Sequence, residues 1–425
     1  MKYLKYSQSL ILKSFGAIFA LVLTVVLNDI LDENSFGQYS YITSVATFLS
    51  TIILFGSAKY IMAELPKEGS FEIFSLKLND IRFINVVIFL SLLIIIVLSY
   101  YSGIKIFSSL DLKFMILMVC ISYFLARNKI NMSILRASNY PILSELPETI
   151  LKPLFLIVII LIFNLNTTIT VLITLLIVVF STYFIGSNII KKNISKSSNN
   201  KFSIKLNHEL VSKSLIVFFI TIITILNENL IIYIMPYFLS FEFVGYYKIF
   251  SQLALLLGFG MMAVNIPQAY VISKNILDKN HNMTDHLVNG LKFSFLYYLL
   301  LSFIYFSIGI NLVETLFGKN LTPYMNLFYT MTVGQLLYVL IGPMGQILIL
   351  SKKYKNALKS LILSLILSII ITVTLLDNYG FNGACYSYVI NLSIVHCNFA
   401  FFAYKELKIK PSIYYILFKS NEKSL

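Results

Sequence analysis

Long apolar runs separated by short polar breaks organise this chain. Each run reaches or approaches the roughly 20 residues that an α-helix needs to cross a bilayer. Segments of this kind are predicted at 10–31, 39–62, 83–101, 112–135, 147–163, 169–190, 211–235, 245–272, 287–313, 323–350, 357–376 and 381–404. The pattern predicts an all-α integral membrane protein with about 12 transmembrane helices. Composition agrees with it: of 425 residues, 58% are apolar and 12% charged, and the mean hydropathy of +0.83 lies far from that of a soluble domain. The first segment reads as a retained anchor, because Lys13 interrupts its start and no A-x-A-like cleavage site follows.

A net charge of +14 raises the question of nucleic acid, and the placement of the charges answers it. With the N-terminus in the cytoplasm, 26 Lys and Arg fall in the inner connections and only 3, Lys105, Lys113 and Lys319, in the outer ones. That asymmetry follows the positive-inside bias, so the basicity is topological and both termini are expected in the cytoplasm. Nucleic acid is excluded as a partner, and the bilayer takes its place.

The two halves of the chain echo each other. LDENSFGQY at 31–39 and LSFEFVGYY at 239–247 share the spacing of Leu, Gly and Tyr; ILRASNY at 134–140 and LILSKKY at 348–354 both close the fourth span of their half. These matches predict two six-helix lobes related by a parallel internal repeat. The boundary is placed at 1–200 and 201–425, with a basic, Ser/Asn-rich cytoplasmic linker around 191–210 and a short basic tail. Two such bundles on a flexible linker can open a central site to each side in turn.

Polar residues inside the spans are the candidate chemistry, since a cation at a helix centre costs roughly 2.5–3.5 kcal/mol. The apolar run Phe114 to Ala126 has 13 residues. That is about 20 Å of helix, short of the roughly 30 Å hydrocarbon core, so the span must borrow Arg127 and Lys129 from the polar sequence that follows. At about 100° per residue, Lys129, Ser133 and Arg136 fall on one stripe, while Arg127 and Asn131 point almost the opposite way. These cations read either as anchors at a cytoplasmic helix end or as the wall of a basic cavity. Lys13 and Lys59 are open to the same two readings, and Lys152 can equally pair with Glu148 one turn earlier. Lys248 reads as a cap at the outer mouth of the eighth span.

Glu228, flanked by Asn227 and Asn229 deep in the seventh span, is the candidate for proton or sodium coupling, or else an acid in the outer headgroup zone. Gln252, Asn265, Gln268, Gln335, Gln346, Asn391 and His396 are weaker candidates for a polar lumen. Gly258, Gly260 and Pro267 in the eighth span, and Gly342, Pro343 and Gly345 in the tenth, predict kinks or close packing. Cys120, Cys385 and Cys397 have no metal-type spacing. The chain carries no Walker loop, no H-E-x-x-H and no G-x-S-x-G, so no cofactor, metal or catalytic residue is expected.

Several stretches, taken in order, resemble a known family: FGQYS after the first span, FGSAKYIMAEL closing the second, ILRASNY after the fourth, YFLSFEFVGYYKIFSQLALLL entering the eighth, and IGPMGQILILSKKYKNA through the tenth. Together they are similar to the polysaccharide-transport or O-antigen flippases of the multidrug/oligosaccharidyl-lipid/polysaccharide (MOP) exporter superfamily. The resemblance implies a multi-pass protein of the bacterial inner membrane that flips an undecaprenyl-pyrophosphate-linked oligosaccharide, an O-antigen or capsule repeat unit, to the outer leaflet by alternating access. It implies a cationic cavity for the pyrophosphate, and a polysaccharide polymerase and chain-length regulator as candidate partners. By position, Lys59 stands near a basic residue of the family's second span, and Arg136 takes the basic position of its L-R-A-x-x-x-Y segment. Where the family has an acid followed by a base, this chain has Glu228, Asn229 and Leu230. Two other classes stay open: a cation-coupled multidrug exporter of the same superfamily, and an O-antigen polymerase, against which the lack of a large external loop speaks.

Overall fold

The computed structural model describes residues 2–67, 71–102, 110–194, 208–278 and 283–414; the side chains at some helix ends, including 2–13, 208–213 and 265–286, lie outside that description. Among the described residues the regular structure is helical throughout. Contacts divide the chain into two compact units, Met1–Ile222 and Ile223–Leu425. The expected linker falls largely on residues 195–207, which are outside the described residues.

The first unit contains α1 (Lys2–Ile30), α2 (Glu33–Leu54), α3 (Ser57–Glu64), α4 (Phe71–Tyr101), α5 (Leu112–Ala137), α6 (Pro141–Glu145), α7 (Lys152–Phe163), α8 (Thr168–Asn193) and the start of α9 (His208–Ile234). Local sequence sets the helix starts. Asp32 caps α2 by accepting from the Ser35 amide at 3.1 Å, and this hydrogen bonding from Ser35 holds the Asp32 carboxyl below its ordinary range. Thr167 caps α8 in the same way, and Lys191 and Lys192 complement the dipole at its end. Hydroxyls within the spans bond to their own helix, as Ser44 does to the Ser40 carbonyl at 2.8 Å, so they add little polarity to the bundle. α5 runs through the middle, packed against α2 and α8 and more lightly against α3, α4 and α6. Ile130 and Ile134 of α5 join Ile53, Ile61, Phe74 and Leu78 in one buried core.

The second unit holds the rest of α9, α10 (Phe241–Asp278), α11 (Met283–Phe317), α12 (Met325–Ile341), α13 (Met344–Leu350) and α14 (Tyr354–Leu407). α14 is two helices meeting at Gly380, whose φ of 54° and ψ of −129° are not helical. They fold back on each other: a Cβ on Gly383 would lie 1.9 Å from the Leu375 carbonyl. A stripe of small residues, Ser360, Ser364, Ser368 and Thr372, is fully buried. Asn398 donates to Ser364 Oγ and Asn391 to Thr372 Oγ1, each at 2.9 Å, so side-chain amides tie the two helices together.

Among the described residues, and taking α14 as one, eight helices are long and apolar enough to cross a membrane, or up to nine if a bent pair counts as one span. α5, with its cations, is not among them. The protein is therefore a multi-pass, all-α membrane protein. Three expected spans depart from continuous helices. The second is broken between α2 and α3, which meet at 51°; Phe55 and Gly56 take φ of 46° and 74° there. The fifth starts earlier, at Pro141, and passes through a π-helical turn at Leu146–Leu151. The tenth is broken between α12 and α13, where Gly342 has φ of 83° and Pro343 removes a donor.

Gly56 answers two demands at once. Its φ lies in the left-handed region, and a Cβ would sit 2.4 Å from the Ser214 carbonyl oxygen. Gly318, with φ of 88°, has nothing within 4 Å. Gly318→Ala should therefore lose about 1–3 kcal/mol for its positive-φ extended backbone, and Gly56→Ala about 2–5 kcal/mol once overpacking is added. Thermal unfolding of the two purified variants in detergent checks that order.

Candidate functional site

The polar segment of α5 is dealt out to three neighbouring helices. Toward α8, Arg127 donates from Nη2 to the Tyr183 hydroxyl at 2.9 Å, with its guanidinium 5.2 Å from the centre of that ring. Asn128 donates to the Val179 carbonyl at 3.1 Å and Thr182 Oγ1 at 3.0 Å. Asn131 donates to the Tyr183 carbonyl and Ser187 Oγ, both at 3.1 Å. Toward α2, Lys129 Nζ donates to Ser50 Oγ at 3.0 Å. Toward α6, Arg136 pairs with the buried Glu145, whose other oxygen accepts from Thr149 at 3.3 Å.

The remaining sequence candidates of this unit scatter. Lys152 stands 3.7 Å from Glu148 as an i, i+4 pair. Both lie within electrostatic reach of Lys129, so this corner carries two cations and one acid. Lys59 is exposed on α3 and makes no ion pair or hydrogen bond among the described residues. The Lys13 side chain lies outside the described residues. Arg127 and Lys129 thus belong to different surroundings, separated by the body of α5.

The second unit encloses a cavity of about 440 Å³. Glu228 of α9 and Lys248 of α10 both line it. Glu228 precedes the end of α9 by six residues and Lys248 follows the start of α10 by seven, so the hairpin between them sets the two charges level. Neither charged group makes an ion pair or hydrogen bond among the described residues. The aromatic side of the wall includes Tyr247, Tyr388 and His396, the last lying 4.6 Å centre to centre from Tyr338. Gln335 donates to Tyr388, and it approaches α10 so closely that a Cβ at Gly258 would be 2.6 Å from Gln335 Oε1. Asn227 reaches the Leu361 carbonyl at 3.3 Å through Nδ2, while its Oδ1 is buried without a partner.

Of the sequence candidates for a polar lumen, Gln335, Asn391 and His396 line this cavity. Asn265 and Gln268 lie outside the described side chains. Sequence reasoning left Lys248 as a cap at the helix mouth and did not single out Tyr247, Tyr388 or Glu145. The signal for Lys248 was its count from the α9–α10 turn, equal within a residue to that of Glu228.

No family model matches the chain, and no curated protein matches it by sequence. Solved structures do match it along nearly the whole length. One is a lipid II flippase MurJ in an inward closed conformation, with TM-score 0.70, 18% identity, and coverage of 96% of this chain and 90% of that one. A second is a MOP superfamily transporter from Pyrococcus furiosus, with TM-score 0.68, 12% identity and 95% coverage of both chains. The chain has the fold of the MOP transporters. A third match, the MATE multidrug transporter DinF-BH, shares that fold at TM-score 0.62 and 13% identity, covering 96% of this chain and 95% of that one.

The Arg136–Glu145 pair is the feature of this site most open to a stability test. Arg136→Gln leaves a buried carboxylate without its cation, whereas the double variant with Glu145→Gln removes both charges. The single variant should lose about 1.5–3 kcal/mol, and the double variant less than the single. A double-mutant cycle on unfolding midpoints measures the difference.

Proposed function

We propose that this protein is a flippase that moves an undecaprenyl-pyrophosphate-linked oligosaccharide, of the O-antigen or capsule repeat-unit kind, from the inner to the outer leaflet of a bacterial cytoplasmic membrane. Translocation is by alternating access, with both termini in the cytoplasm and the halves acting as a parallel repeat. Lys129 is the observation that carries this reading. Its only hydrogen-bond partner among the described residues is the neutral Ser50 hydroxyl, so two of its three donors are unused. An ammonium at membrane depth is expensive unless an anion or water meets it. A pyrophosphate supplies that anion, and Lys152, paired with Glu148, keeps this corner net positive. The likeness to a structure named as a lipid II flippase supports the same class of cargo.

A second reading, a cation-coupled drug exporter, has one observation in its favour. Glu228 is free of partners among the described residues, in a cavity with aromatic walls, and such a carboxylate can take up a proton or a cationic ligand. Lys248 at the same level weakens it, because it leaves the cavity without net charge.

Deletion of the gene should leave undecaprenyl-linked repeat units on the cytoplasmic side, and normal surface polysaccharide in that strain would sink the proposal. On complementation, Lys129→Gln should lower surface polysaccharide by about tenfold or more, the equivalent of one lost charge-assisted hydrogen bond, with protein abundance unchanged. Lys129→Arg should retain export. Ethidium efflux that depends on Glu228, with polysaccharide unaffected, would favour the exporter instead.

A further inference from the structure

Arg127 faces α8 and not the side of α5 that carries Lys129. Its surroundings pose their own problem. Nη2 is bonded to Tyr183, but Nη1 is buried and has no partner among the described residues. Arg82, exposed on α4, stands within electrostatic reach of Arg127, Tyr183 and Tyr123. Among the described residues neither arginine pairs with a carboxylate. Asn128 and Asn131 fasten α5 to α8 beside them and neutralise nothing. Two guanidinium groups set together at membrane depth with no acid repel each other, and a bound anion turns that repulsion into attraction.

The apolar flanks say what kind of anion. α5 packs against both α4 and α8 and so forms the floor between them. From Arg82 onward, α4 exposes Val86, Leu90 and Ile94; from Tyr183 backward, α8 exposes Phe180, Ile177 and Ile173. α4 runs antiparallel to α5, with Phe89 against Tyr123, and α8 runs parallel to it, with Asn128 bonded to Val179 and Asn131 to Ser187, so both rows leave the arginines toward the α5 start at Leu112. A charged end joined to two parallel apolar rows has the form of a phospholipid. A free phosphate would use the arginines alone and leave the rows unexplained.

We infer that Arg82 and Arg127 bind the phosphate of an anionic phospholipid whose acyl chains lie along the exposed apolar rows of α4 and α8. The exposed guanidinium of Arg82 supplies the donors, Arg127 adds its charge from the floor behind it, and the Tyr183 ring holds the Arg127 plane in place. The site is independent of the transported cargo, since Lys129 and the cavity of the second unit take no part in it.

Native mass spectrometry of the full chain, released from detergent after incubation with phosphatidylglycerol or phosphatidylcholine, tests the site. The protein should retain phosphatidylglycerol in preference to phosphatidylcholine. Arg82→Gln and Arg127→Gln should each lower that retention about fivefold, as expected for one basic residue at a lipid headgroup, while Arg127→Lys keeps most of it and Lys113→Gln, at the far end of α5, keeps all of it. Arg82 is exposed, so Arg82→Gln reports on binding even if Arg127→Gln fails to fold. Unchanged phosphatidylglycerol retention in Arg82→Gln would overturn the inference. So would displacement of the lipid by millimolar inorganic phosphate, which would make the site one for free anions.

Discussion

A charge in hydrocarbon must be answered, and the rest of this structure follows from how each charge on α5 is answered. The helix is too short in apolar residues to span a bilayer without drawing Arg127, Lys129 and Arg136 into its length. Arg136 is met by a carboxylate, Glu145. Lys129 is met by a hydroxyl, Ser50. Arg127 is met by a phenol and its ring, Tyr183. These are unequal answers: the first closes an ion pair, and the other two leave a full positive charge beside neutral partners. Neighbouring helices are placed accordingly, with α6 presenting Glu145, α2 Ser50 and α8 Tyr183 to the three cations.

The second unit shows the same constraint in another form. There, an acid and a base come from two helices of one hairpin and reach a shared cavity without touching through any hydrogen bond or ion pair among the described residues. A chain that lacks a cation directly after Glu228 thus acquires one from Lys248, 20 positions later. Amide and phenol groups such as Gln335, Asn391 and Tyr388 share the remaining wall with apolar side chains, among them Ile231, Leu255 and Val395.

Much of this was legible in the sequence, and what was not has a physical reason. Apolar length located most of the helices, because a single span can satisfy its own backbone inside a bilayer only as a helix, and α5 needed its flanking cations counted as well. The angular split between Arg127 and Lys129 followed from 3.6 residues per turn. Breaks were harder to read. Gly342 and Pro343 announced theirs, but the break at Phe55 and Gly56 rests on the close approach of the Ser214 backbone, a contact that no local pattern encodes. Partners across a turn were hardest. Glu145 reaches Arg136 only because the chain reverses at Asn139, which takes a left-handed φ of 69°. Lys248 meets the cavity of Glu228 only because the connection between α9 and α10 is short.

The central claim is that α5 turns Lys129 toward a water-accessible interior and Arg127 away from it. Cysteine accessibility measures this directly, in a background with Cys120, Cys385 and Cys397 replaced and the protein in native membranes. A cationic methanethiosulfonate reagent should modify Lys129→Cys rapidly and Arg127→Cys slowly or not at all. Equal labelling of both positions, or an inert Lys129→Cys, would contradict the account.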